Sequence, residues 1–213
     1  MKKTKINWHN SFNLTIIRIV SSILIFGAYS TLELSLHGGL ANKIGGYAWI
    51  FHLFVLIIFA FSSLLNVMDG RINTLHNQTK TKIIFEQLAD KLIIYPILIF
   101  FIQFNIIYTS VIVILFIRDF TALTGKLIIF EKRNFYKVPL LTKVKTTLEM
   151  STIIAILLTI TIITKFQPGT IRKNQVLKIA NTVTFSIIDV LAISTIYIYY
   201  KPIFKHIVEE LKN

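Results

Sequence analysis

Long, continuous apolar runs constrain this chain more than any other feature of its sequence. A helix needs about 20 mostly apolar residues to cross a hydrocarbon layer of about 30 Å, and most of the runs approach that length. Their apolar residues do not alternate with polar ones, so the runs fit helices and exclude a transmembrane β-barrel. The six runs are 13–30, 47–68, 83–104, 106–123, 151–164 and 179–200.

The composition supports a membrane location for these runs. Hydrophobic residues make up 54% of the chain and the mean hydropathy is +0.67, which an ordinary water-exposed surface does not accommodate. We therefore predict an all-α integral membrane protein, a single domain over residues 1–213 with six transmembrane helices. Residues 6–14 place Trp8 and Phe12 among polar neighbours and predict an N-terminal interfacial helix ahead of the first span.

The distribution of basic residues predicts the orientation in the cell membrane. Connection 31–46 carries one lysine, whereas connection 71–82 carries three basic residues and connection 126–145 carries six. The positive-inside rule then places the second and fourth connections and both termini in the cytoplasm. The basic pair at 172–173 lies on the predicted outer side and runs against this orientation.

Charge and residue usage exclude several other classes of function. The formal charge of +13 would also suit nucleic acid, but in a membrane protein the lysines are topology signals and contacts for anionic lipid headgroups, so we expect no nucleic-acid partner. Cysteine is absent, which excludes disulfides and thiolate chemistry. The five histidines show no ligand spacing. The sequence shows no internal repeat of the kind that would indicate a transporter.

Acidic and amide side chains flank the connection between the second and third runs. Asn66 and Asp69 are spaced i, i+3, and Glu86 and Asp90 are spaced i, i+4, so each pair lies on one helix face. Two antiparallel helices would bring all four together as ligands for Mg²⁺ or Mn²⁺ beside a phosphate-bearing substrate. The alternative is that these carboxylates simply form ion pairs with neighbouring lysines and arginines. An ionisable group within a membrane nevertheless indicates a functional site by default.

These residues resemble the motif of the CDP-alcohol phosphatidyltransferases, D-x-x-D-G-x-x-A-R, eight residues, then G-x-x-x-D-x-x-x-D. Asn66 stands at the first Asp, Asp69 and Gly70 match the next Asp-Gly pair, Glu86 stands at the third Asp and Asp90 matches the fourth. The chain departs from the motif elsewhere, and the segment is one residue shorter. The departures are Asn73 and Thr74 for the Ala-Arg pair and Lys82 for the later glycine.

Further segments resemble one branch, the phosphatidylglycerophosphate synthases, which use CDP-diacylglycerol and glycerol 3-phosphate. The opening Asn13-Leu-Thr-Ile-Ile-Arg18 is similar to that branch's entry into its first span, and Leu88-Ala-Asp-Lys91 is similar to its Leu-Ala-Asp-Lys. Other matching segments are Arg118-Asp119, Thr124-Gly125-Lys126, Lys143-Val-Lys-Thr146 and Leu148-Glu-Met150. The resemblance covers about the first 150 residues in the expected order.

The resemblance implies displacement at the β-phosphorus of CDP-diacylglycerol with release of CMP. It implies two divalent ions at the first three acidic positions, Asp90 as the base, and a homodimer surrounded by membrane lipids. Cationic residues near the cytoplasmic face would bind the glycerol phosphate, although positive-inside anchoring also explains the lysines. The implied substrate-binding residues are Gly70, Asn73, Thr74, Lys82, Arg18, Arg118, Lys126, Lys143 and Lys145.

The departures from the motif leave a second hypothesis open. Asn66 removes a negative charge and should weaken cation binding, while Lys82 puts a long side chain where glycine allows close approach of a ligand. A relative without catalytic activity that serves as a lipid-binding, regulatory or protective membrane protein is therefore the alternative to an active transferase.

Overall fold

A computed structural model describes residues 8–37, 47–73, 80–132, 140–167 and 175–210. Side chains are described for 13–34, 47–68, 85, 88–124, 144–167 and most of 175–200. The regular structure of these residues is helical, as predicted. The six helices are α1 (Trp8–His37), α2 (Ala48–Asn73), α3 (Lys80–Gln103), α4 (Thr109–Lys132), α5 (Leu140–Phe166) and α6 (Gln175–Glu210).

Three segments of the described helices are long and apolar enough to cross a membrane: Asn13–Leu34, Ala48–Met68 and Val144–Phe166. Their outward side chains are large and apolar, with Ile23 66% exposed and Phe26 58% exposed, as expected of a surface that faces lipid. The prediction of a helical membrane protein is confirmed. Helices α3, α4 and α6 carry more charge within or near their apolar stretches, and their crossing of the membrane stays a prediction.

The helix ends differ from the predicted ones where polar residues continue a helix beyond its apolar run. Residues 8–14 do not form a separate interfacial helix, because α1 runs without a break from Trp8. Helix α2 continues to Asn73 and α3 begins at Lys80, so the predicted connection 71–82 is partly helical. The third and fourth runs are separated as predicted, and Asn105 in that turn has a positive φ of 56°, a conformation that asparagine tolerates better than most residues.

The chain divides into two compact units. The first unit comprises Met1–Phe104 with Ile154–Lys173, and the second comprises Asn105–Ile153 with Asn174–Asn213. In the first unit α1 packs against α2 and α3, and in the second α4 packs against α6. The prediction of a single domain stays a prediction.

An aromatic cluster holds the first unit together far along α1 from its N-terminus. Tyr29 stacks on Phe100, and His52 lies against both rings. Phe104 packs on Phe100 at the end of α3. Since Tyr29 follows Arg18 by about three helical turns, this cluster fixes α1, α2 and α3 relative to one another well away from the charged residues described next.

Candidate functional site

Three helices of the first unit meet at one buried arginine. Arg18 on α1 is 1% exposed, and its Nη1 donates to Asn66 Oδ1 on α2 at 3.2 Å and to Asp90 Oδ1 on α3 at 2.5 Å. We call these three residues the Arg18 junction. The structure thus brings together a predicted substrate-binding residue, a predicted metal ligand and the predicted base.

The local sequence explains why the junction forms. Arg18 lies within the apolar segment Asn13–Leu34, where a charged side chain is costly unless it has a partner inside the protein. The carboxylate of Asp90 meets that need with a charge-assisted hydrogen bond, and the Asn66 carbonyl accepts a second one. The Asp90 side chain stays 18% exposed, so it is not fully enclosed by the junction.

The oxygen atoms of the junction are donors of the kind that Mg²⁺ and Mn²⁺ prefer. Asn66 Oδ1 and Asp90 Oδ1 accept from the same nitrogen, so they lie close together. Asp69 and Glu86 follow and precede them by one turn on α2 and α3, but these two side chains lie outside the described residues. The donor set fits a hard cation if Asp69 and Glu86 complete it.

The described residues do not hold a metal centre by themselves. No group of three or more histidine, aspartate or glutamate side chains in the described part of the chain is arranged to bind a metal ion. Asn66 and Asp90 already bond to a guanidinium cation. The predicted metal site therefore depends on Asp69 and Glu86 and stays a prediction.

The side chains of several predicted substrate-binding residues lie outside the described part of the structure, although most of these residues belong to described helices. Gly70 and Asn73 belong to the last turns of α2, and Lys82 to the first turn of α3. Thr74 lies outside the described residues. Lys126 is in α4 and Lys143 in α5.

Arg118 and Lys145 lie in the second unit, where carboxylates hold both of them. Arg118 donates to Asp119 Oδ1. Lys145 Nζ lies 3.4 Å from the same oxygen and also bonds to Glu149, one turn along α5. Each of these four residues is at most 7% exposed. A phosphate ligand would have to compete with these carboxylates for the two cations.

Asp189 on α6 adds a third carboxylate to this group. It is 6% exposed and interacts electrostatically with Arg118, Asp119, Lys145 and Glu149. Its Oδ1 has no hydrogen-bond partner within the described part of the chain. We call these five residues the second-unit charge cluster. With two cations and three carboxylates, the cluster does not present a net positive charge.

Sequence reasoning did not place Asp119, Glu149 or Asp189 in a site. The spacing of Lys145 and Glu149 was a usable signal, because residues four apart in a helix are neighbours. The contacts of Lys145 on α5 with Asp119 on α4, and the proximity of Asp189 on α6 to these residues, had no such local signal. They depend on which helices become neighbours in the fold.

Comparison of the sequence with known proteins identifies a family. The model of the CDP-alcohol phosphatidyltransferase family matches residues 8–194, a stretch that contains both the Arg18 junction and the second-unit charge cluster. Searches of curated proteins and of solved structures give no significant match. Because the matched stretch covers most of the chain, this protein belongs to the CDP-alcohol phosphatidyltransferase family.

Proposed function

We propose that the protein transfers a phosphatidyl group from CDP-diacylglycerol to a small alcohol, with glycerol 3-phosphate as the acceptor, and releases CMP. The family match supports the reaction class. The convergence of Asn66 and Asp90 on Arg18 is the observation that carries the proposal, because it joins two motif positions from different helices in one place.

Asp90 is the group proposed to accept a proton. The alcohol oxygen bonds to the β-phosphorus, the bond from that phosphorus to the CMP oxygen breaks, and the hydroxyl proton passes to the Asp90 carboxylate. A general base must lie within hydrogen-bond reach of the hydroxyl, and the exposed part of Asp90 leaves room for that approach. The bond from Arg18 holds one carboxylate oxygen in place.

Divalent ions held by Asn66, Asp69 and Glu86 would neutralise the pyrophosphate and stabilise the leaving phosphate. Among the described side chains, Asn66 presents its carbonyl oxygen beside Asp90 through their shared bond to Arg18. Asn66 supplies a neutral carbonyl where the family motif has a carboxylate, which lowers the negative charge available to a cation.

Glycerol 3-phosphate is proposed as acceptor on the resemblance of segments outside the motif. Two residues of those segments, Arg118 and Lys145, bond to carboxylates of the second unit. Lys126 and Lys143 are the further candidates for the acceptor phosphate. A panel of alcohols with and without a phosphate group distinguishes an anionic acceptor from a neutral one.

A family relative without transferase activity is the second candidate. The observation that favours it is the Arg18 junction itself, where a guanidinium bonds to both described oxygen donors. A lipid-binding, regulatory or protective role would keep the fold and need no metal centre.

The deciding experiment measures CMP release by the purified protein in liposomes with CDP-diacylglycerol, glycerol 3-phosphate and Mg²⁺ or Mn²⁺. We expect Asp90→Asn to lower the rate by about 100-fold or more, since general-base catalysis contributes about 10²–10⁴-fold. Asp69→Asn should also lower the rate, because it removes a proposed ligand of the divalent ions. Thr159→Ala is the control, because Thr159 is only half-buried and its hydroxyl bonds to the backbone of its own helix.

Each outcome selects one hypothesis. CMP release that persists in both aspartate variants would show that the proposed site is wrong. An absence of CMP with every acceptor, together with an absence of metal-dependent CDP binding, would favour the relative without activity.

A further inference from the structure

Pro96 interrupts the backbone hydrogen bonding of α3 near the Arg18 junction. Pro96 lies inside α3, and proline has no N–H to donate to the carbonyl four residues earlier, which is that of Leu92. The proline ring also crowds that carbonyl. In an apolar environment a carbonyl without a donor costs free energy, so Leu92 O needs a donor from elsewhere.

Ser22 on α1 supplies that donor. Its Oγ donates to Leu92 O across the interface between α1 and α3, and Ser22 is 7% exposed. The neighbouring Ser21 is equally buried, yet its hydroxyl donates to Ile17 O of its own helix at 2.8 Å. Serine hydroxyls in helices commonly bond to their own backbone in this way, so the Ser22 bond is specific to the carbonyl that Pro96 releases.

The Ser22 bond lies next to the Arg18 junction on both helices. Ser22 follows Arg18 by four residues and so lies on the same face of α1. Leu92 follows Asp90 by two residues on α3. The bonds Arg18 to Asp90 and Ser22 to Leu92 therefore join the same two helices at two levels, about 6 Å apart along α1 and about 3 Å apart along α3. Two such points restrict sliding and rotation of α3 against α1, which one point would allow.

We propose that Ser22 and Pro96 are positioning residues that hold α3 in register against α1, so that Asp90 lies where it can accept the proton of the acceptor alcohol. The inference rests on the proposed function and deepens it. Pro96 creates the free acceptor on α3, Ser22 binds it, and both act through Asp90. A small displacement of a reacting group lowers the reaction rate by a large factor. A shift in the register of α3 against α1 should therefore lower the rate of the transfer reaction.

A double-mutant cycle tests the coupling. Ser22→Ala should lower kcat for CMP release by about tenfold, since the loss of the donor to Leu92 O removes one of the two bonds that fix the register of α3 against α1. The KM for CDP-diacylglycerol should change by less than about twofold, because the change affects positioning and not uniform binding. Pro96→Ala restores an N–H at position 96, so Ser22→Ala added to Pro96→Ala should cost no further activity.

Thermal unfolding of the same four proteins separates positioning from a merely structural role. Pro96→Ala should raise the unfolding temperature, because it repairs the helix, yet it should lower kcat. Ser22→Ala should destabilise the parent protein but not the Pro96→Ala variant. Ser21→Ala is the matched control and should leave kcat unchanged.

The outcomes distinguish this inference from the proposed function. Equal losses of kcat from Ser22→Ala in both backgrounds, or an equal loss from Ser21→Ala, would overturn the positioning role in an active enzyme. If the parent protein releases no CMP, the proposed function fails and the positioning role fails with it. Coupling in the unfolding data would then establish the contact alone.

Discussion

Arg18 shows how one residue inside an apolar helix acquires its role. From its sequence position it could extend to lipid phosphates or bind an anionic substrate. In the structure it is 1% exposed and bonds to Asn66 and Asp90, so its charge is satisfied within the protein. The choice between these possibilities depends on which side chains α2 and α3 bring to it.

Removal of Arg18 should take away the guanidinium that bonds to Asp90. We expect Arg18→Ala to lower the free energy of unfolding by about 3 kcal/mol, the usual cost of removing one member of a buried ion pair. The double variant with Asp90→Asn should lose less than the two single variants together, because the two residues share one interaction. Thermal or denaturant unfolding in detergent measures both effects.

Lys178→Ala is the control for this cycle. Lys178 is a cation whose contacts, with Asn105 and the ring of Tyr108, lie in the second unit. It should show no coupling to Asp90→Asn. Strict additivity of Arg18→Ala and Asp90→Asn would contradict the ion pair.

At the scale of the helix, the existence of each element and the position of its ends have different origins. Their existence follows from the apolar runs, and the six helices lie where the runs predicted them. Their ends do not follow, because α2 and α3 extend into polar sequence on both sides of the predicted connection. Burial of charge within a helix also depends on its neighbours, as the second-unit charge cluster shows.

Asp189 on α6 should be replaceable without loss of stability. Its carboxylate is buried, and its Oδ1 has no hydrogen-bond partner among the described residues. Asp189→Asn keeps the shape and removes a buried charge in a cluster that already has more carboxylates than cations. We expect the free energy of unfolding to stay the same or rise by about 1 kcal/mol.

Chemical or thermal denaturation in detergent checks this expectation. Thr184→Ala on the exposed side of α6 is the reference for a neutral change in the same helix. A loss of stability well beyond that of the reference would mean that the Asp189 charge stabilises the cluster.

The whole molecule is a helical membrane protein whose basic residues predict its orientation. Connection 126–145 carries six basic residues and 31–46 only one lysine, a difference that predicts opposite sides of the membrane for them. The asymmetry in charge is strong enough to test directly.

The absence of cysteine makes the orientation easy to measure. We expect a cysteine introduced by Asn134→Cys to react with a membrane-impermeant thiol reagent only after the cytoplasmic side is opened. A cysteine introduced by Leu40→Cys should react in intact cells. The parent protein is the unlabelled control, and the reverse pattern would invert the proposed topology.

The apolar runs and the motif positions were sufficient to predict the helical class, the family and the proximity of Asn66 to Asp90, because helix periodicity, hydropathy and motif spacing are local properties of a chain. The bonds of Arg18 and Ser22 to α3, and of Lys145 to Asp119, were not predictable in this way. They join residues far apart in sequence, and the fold selects them because every buried charge and every carbonyl that lacks its helical donor needs a partner on whichever helix packs beside it.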